Sequence, residues 1–210
     1  MKFAKVQIIR RTVFAGLLNS MAPLALLRIG QIVGELLTLY DLDQEANRTL
    51  DNPWMNARAL ALRTGAVLGE LIAAKAVGNR PITLVGYSLG SLVILEALKY
   101  LATLPPSKTV HLVQDVFLFG IPAPADPTAW TSVRRVVAGR IVNGYSSSDL
   151  VLAILSRTSD ATWSIAGMEE VHVKGIENFE CEDLGGHAQW RWKVGEYLQR
   201  IDGHHRDKVT

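Results

Sequence analysis

The sequence predicts a parallel α/β fold, with helices on both faces of the sheet. Three observations carry that expectation. Short strand-like apolar runs alternate with helical stretches, the pattern left by parallel strands joined through crossover helices. The run Val116-Phe117-Leu118-Phe119-Gly120 is apolar without alternation, as a strand buried on both faces must be. Between residues 81 and 101, Ile82-Thr83-Leu84-Val85 passes through Gly86-Tyr87-Ser88-Leu89-Gly90 straight into helical spacing: strand, sharp turn, helix.

The 210 residues suit one domain with a sizeable core, at 49% hydrophobic and 20% charged residues. A net charge of +2 from scattered basic residues offers nothing to a nucleic acid. Cys181, the only cysteine, excludes a disulfide framework; in a strand-like stretch it reads as a packed small hydrophobe.

Residues 13–39 are the most apolar part of the chain, interrupted by Asn19, Pro23, Arg28 and Glu35. Three readings stay open: helices packed on the sheet, a membrane-lying or inserted hairpin, and a single span. The basic residues Lys2, Lys5, Arg10 and Arg11 ahead of it, with no clean small-residue cleavage site after it, do not make a signal peptide. Residues 41–53 read as a polar loop. Residues 56–77 are helical, with Ala59, Leu62, Ala66, Leu68 and Leu71 near the 3.6 period, and Gly78-Asn79 ends the helix.

After Ser88, apolar positions at Leu89, Leu92, Val93, Leu95, Ala97 and Leu98 predict an amphipathic helix, broken at Leu104-Pro105-Pro106-Ser107. Asp126-Pro127 is an N-cap followed by proline at the first helical position, opening a short helix through Val133. Residues 139–145 form the next strand, 146–149 its exit loop, and 150–157 a helical turn or two. At least one more strand lies within 171–181. The loop 183–187 leads into a last helix, 188–201, and the polar tail 202–210 is expected to fray. The domain organisation is thus an apolar helical segment at 1–40, the α/β domain at 41–201, and the tail at 202–210.

In parallel sheets, sites form just beyond the carboxyl ends of the strands. A G-x-S-x-G pentapeptide arises by chance in roughly one chain of this length in ten. Placed between a strand and a helix it is far rarer, and there it forces a turn that lifts the serine hydroxyl above the sheet. Ser88 is therefore the candidate nucleophile, and the Leu89 N–H, at the start of the helix, the candidate oxyanion donor. A serine needs a base to take its proton and a carboxylate to orient that base. His187, in a glycine-flexed loop after the last strand, is the expected base. His172, within Val171-His172-Val173, reads as a strand histidine; His111 lies at the wrong strand end; His204 and His205 sit in the tail. Asp149 follows strand 139–145 and falls between Ser88 and His187, which makes it the expected acid. The competing role for Asp149 is a helix N-cap ahead of Leu150, and Asp160 is the substitute acid. No constellation asks for a metal or another cofactor.

These residues resemble an uncharacterised α/β-hydrolase-like family that includes transmembrane and coiled-coil domain-containing protein 4 and fungal relatives. The matching stretches are Arg11-Thr12-Val13, Ala22-Pro23-Leu24-Ala25-Leu26-Leu27, Asp51-Asn52-Pro53-Trp54, residues 78–90, residues 136–146, Asp149-Leu150-Val151-Leu152, Gly186-His187 and Trp190-Arg191. The resemblance implies an α/β-hydrolase fold, triad positions at Ser88, Asp149 and His187, and membrane association through the apolar segment. Family members carry a longer N-terminal portion with early strands, one of whose loops would supply a second oxyanion N–H. Those N-terminal strands are expected to be missing here, the chain being either a fragment of a longer protein or a shortened version with a sheet of four or five strands. The function expected is an esterase- or lipase-type serine hydrolase acting on a small-molecule or lipid ester at a membrane. The alternative is a membrane-associated adaptor that keeps the fold with weak or no turnover, and a peptidase on the same triad stays open.

Overall fold

In the computed structural model, residues 53–76, 78–159 and 164–209 are described. The apolar stretch 13–39 and Asp160 lie outside them. In chain order the elements are α1 (Pro53–Ala73), β1 (Ile82–Tyr87), α2 (Leu89–Ala102), the short α3 (Pro106–Thr109), β2 (Val113–Phe119), α4 (Pro127–Arg134), β3 (Ile141–Tyr145), α5 (Leu150–Ser159), β4 (Ile176–Glu180), a 3₁₀ turn (His187–Gln189) and α6 (Trp190–Val209).

The four strands form one sheet in the order β1-β2-β3-β4, every pair parallel. In register, Val85 lies opposite Phe117, Phe117 opposite Val142, and Ile141 opposite Ile176. Successive side chains of a strand point to opposite faces, and the core divides on that rule. Leu84, Val116, Leu118 and Ile141 pack with α1, α2 and α4. Val85, Phe117, Phe119 and Val142 pack with Trp190, Val194, Tyr197 and Ile201 of α6. The α/β architecture with both faces covered is therefore as predicted.

α2 departs from its expected amphipathic pattern. Leu89, Leu92, Val93, Ile94, Leu95, Ala97, Leu98 and Leu101 are all buried, on every side of the helix. The cause is a second layer. α1 lies across α2 closely enough that a Cβ on Gly65 would stand 2.6 Å from the Val93 carbonyl oxygen, and one on Gly69 2.9 Å from that of Ala97. A helix apolar all round must be enclosed, and α2 is enclosed between α1 and the sheet.

The N-cap of α4 forms as the sequence predicts: Asp126 accepts from the Thr128 and Ala129 N–H groups, with Pro127 at the first position. Two expectations need correction. β4 begins only at Ile176, so His172 is not a strand residue; its side chain is 82% exposed in the irregular stretch ahead of β4. α6 does not stop at Ile201 but runs to Val209. Residues 202–209 contain no proline, and a helix already anchored by packing extends one bond at a time without a new nucleation cost.

Candidate active site

β1 ends at Tyr87, and Ser88 takes φ 51° and ψ −131°, a backbone conformation that side-chain-bearing residues rarely adopt. Two contacts hold it there. The Ser88 N–H donates to the Phe119 carbonyl at 2.8 Å, and Ser91, fully buried, donates through Oγ to that carbonyl and accepts from the Phe119 N–H, both at 3.1 Å. The turn is so tight that a Cβ on Gly86 would stand 2.8 Å from the Ser91 nitrogen and 2.9 Å from the Gly90 carbonyl carbon. Ser88 occupies the N-cap position of α2, yet its hydroxyl makes no cap bond. It points away from the helix instead.

That hydroxyl meets His187, with Ser88 Oγ 2.8 Å from Nε2. On the other side of the ring Nδ1 is 2.7 Å from Asp149 Oδ2. With Nδ1 carrying the proton, His187 donates to the carboxylate and Ser88 donates to Nε2. Ser88 is 8% exposed, the His187 side chain 18%, and Asp149 fully buried. The structure thus brings together Ser88, Asp149 and His187, from beyond β1, β3 and β4, at the carboxyl side of the parallel sheet. It keeps the other described histidines elsewhere: His111 precedes β2, and His172 stands exposed ahead of β4.

Asp149 makes the contacts of both readings that the sequence set against each other, a helix cap and a bond to His187. Oδ1 accepts from the Leu152 N–H at 3.0 Å, capping α5, while Oδ2 serves His187. Burial is the largest influence on its acidity and acts to raise its pKa. The His187 hydrogen bond and charge, with donation from Leu152 N–H and the Trp190 indole, together outweigh it and hold the carboxyl below its ordinary range. The loop carrying Asp149 is anchored at both ends. Ser146 N–H donates to the Gly167 carbonyl at 3.1 Å, and Ser148 Oγ donates to the Leu184 carbonyl, on the His187 loop, at 3.3 Å.

Sequence reading missed one participant. Trp190, fully buried, donates from Nε1 to the same Oδ2 at 2.9 Å. Its spacing from His187 was the available signal, because positions three apart in a 3₁₀ turn superpose and so face one partner. Leu89 is the first residue of α2, and the first N–H groups of a helix have no acceptor within it. Among the described residues no group of three or more His, Cys, Asp or Glu side chains is placed to hold a metal ion, and no helix is long and apolar enough to cross a membrane.

Fold and site together define an α/β protein presenting a serine at a strand-to-helix turn, beside an imidazole and a buried carboxylate. Among known proteins, the family described as protein of unknown function (DUF726) matches residues 1–204, and the chain belongs to that family. It is 36% identical over 205 residues to a Schizosaccharomyces pombe protein named uncharacterized membrane protein C6F6.13c, covering 96% of this chain and 32% of that one. It is 36% identical over 199 residues to a Saccharomyces cerevisiae protein named probable lipase MIL1, covering 93% of this chain and 17% of that one. It is 34% identical over 154 residues to transmembrane and coiled-coil domain-containing protein STS1 of Oryza sativa, covering 73% of this chain and 23% of that one. The chain therefore spans about a third or less of the length of these curated relatives. No solved structure matches it significantly.

Proposed function

We propose that this protein is a serine hydrolase of the esterase or lipase type, with Ser88 as nucleophile, His187 as base, Asp149 as the orienting acid and the Leu89 N–H as oxyanion donor. The observation that carries the reading is the unbroken chain from Ser88 Oγ to His187 to Asp149, at 2.8 and 2.7 Å.

Ser88 Oγ attacks the ester carbonyl as its proton passes to His187 Nε2. Asp149 stabilises the imidazolium that results and keeps the ring from turning. The tetrahedral oxyanion takes the Leu89 N–H at the start of α2, where the helix dipole favours negative charge. Collapse of the intermediate breaks the ester C–O bond, and His187 returns the proton to the departing alcohol. Water, deprotonated by the same imidazole, then releases the acid and regenerates Ser88.

An apolar substrate fits the surroundings. Leu150, Val151 and Ile154, on the helix that starts directly after Asp149, are 72, 47 and 62% exposed. The yeast relative named a probable lipase and the relatives named as membrane proteins agree with a lipid ester substrate met at a membrane.

A fluorophosphonate probe tests the reading. Labelling at Ser88, abolished in Ser88→Ala and His187→Ala, is the expected result, since loss of one triad member removes roughly four to six orders of magnitude in rate. A folded protein that takes no label would instead favour the adaptor. An ester-against-amide panel separates an esterase from a peptidase.

A further inference from the structure

We propose that Trp190 is a positioning residue for the acid and base, holding the Asp149 oxygen that faces His187 in place through its indole N–H. Asp149 Oδ2 receives two donors, His187 Nδ1 at 2.7 Å and Trp190 Nε1 at 2.9 Å. The Leu152 N–H holds the other oxygen, Oδ1, and the indole adds a donor fixed by the fold at the oxygen that faces the imidazole.

The indole is itself fixed on three sides. Its ring centroid lies 6.0 Å from that of Phe119 and 5.9 Å from that of Tyr197. On the third side is Gly120, at φ +53°, where a Cβ would stand 2.5 Å from Trp190 Nε1. Glycine at that position therefore answers two demands, a left-handed backbone and room for the indole edge. Gly120 follows β2, whose last residue, Phe119, also carries the carbonyl that holds Ser88. One strand end thus fixes the nucleophile on one side and the acid, through the indole, on the other. Of the two donors only the imidazole gains a charge in the proposed turnover, and the indole stays neutral beside it.

The kinetic half of the test rests on the hydrolase reading, and the spectroscopic half does not. Trp190→Phe keeps an aromatic ring beside Phe119 and Tyr197 and removes the donor together with part of the buried ring volume. A folded variant is expected to lose roughly tenfold in kcat on a short-chain p-nitrophenyl ester at unchanged KM, the size of one hydrogen bond to an ionised group. The low-field proton NMR line of His187 Nδ1–H should move in the same variant. Trp192→Phe, 74% exposed two residues on, should change neither.

A folded Trp190→Phe protein with unaltered kcat and an unaltered low-field line would overturn the proposal. If Trp190→Phe does not fold, the indole N–H resonance is compared between wild type and Asp149→Asn; displacement supports the assignment and identity refutes it. If the wild type cleaves no ester, the hydrolase reading fails, and the low-field line in Trp190→Phe still decides the role of the indole.

Discussion

Asp149 uses its two oxygens for different tasks, one closing the first turn of α5 and the other receiving His187 and Trp190. Asp149→Ala is therefore expected to lose a helix cap, worth about 1 kcal/mol, and to strand a buried indole donor, at a further cost of about 1–3 kcal/mol. Thermal melts would show a fall well beyond that of an exposed substitution. Its acidity adds a pH signature. Burial pushes the carboxyl up, but the donors and the His187 charge outweigh it, so the folded value lies below the unfolded one of about 3.9. The stability this confers is fully present above about pH 4 and is lost as pH falls through the folded value. The gap in melting temperature between wild type and Asp149→Asn should accordingly narrow on acidification below pH 4. Cys181 makes a separate prediction. Burial, above all, with Asp183 and Glu180 nearby, pushes its thiol up to about 12 against the opposing pull of Arg200. Iodoacetamide at pH 8 should leave it unmodified in the native protein and alkylate it after unfolding, as mass spectrometry would read.

At the scale of elements, the strand-to-helix turn around Ser88 tolerates almost no added atom. Gly86→Ala places a Cβ against backbone of the turn itself, at 2.8 Å from the Ser91 nitrogen, where no rotamer can relieve it. Destabilisation of about 1–3 kcal/mol is expected, with probe labelling at Ser88 lost disproportionately because the displaced backbone is the part that aims the hydroxyl. Asp126→Ala, at the α4 cap, should cost about 1 kcal/mol and leave labelling intact, which makes it the matched control. The elements that sequence reading placed well are those with local chemistry: the Asp126-Pro127 cap, the continuous apolar run of β2, the switch of period at Ser88. Those it misplaced depend on distant partners. His172 sits in an apolar alternation that never pairs as strand, and the burial of all sides of α2 follows from α1 lying across it, which the period of α2 alone does not reveal. The convergence of Ser88, His187 and Asp149 in the candidate site was legible in outline because chain order and strand ends limit which hydroxyl, imidazole and carboxylate can meet. Trp190 was overlooked, because a tryptophan at the head of a helix reads as core and only its spacing from His187 hinted at the contact with Asp149, 41 residues away. Setting the cap against the bond to His187 was the other shortfall, since a carboxylate has an oxygen for each.

Across the molecule, α6 couples the site to the fold. Its first residue is Trp190, and Val194, Tyr197 and Ile201 follow it down the second face of the sheet onto Phe117, Phe119 and Val142. Val194→Ala should cost about 1–3 kcal/mol, a fall of roughly 2–12 °C in melting temperature for a chain of this size, and should slow probe labelling although Val194 lies a turn beyond Trp190. The surface ion pairs will not behave this way. Lys193 reaches Asp183 at 2.9 Å and Glu196 at 3.0 Å, all three partly exposed, and such pairs contribute little that salt would not screen. The double duty of Asp149 has a last consequence, for inheritance. A lineage abandoning turnover could discard its serine hydroxyl at little cost to folding, whereas the aspartate would be retained as part of the framework. If the hydrolase reading holds, Asp149 should outlive the Ser88 hydroxyl among descendants that have fallen silent.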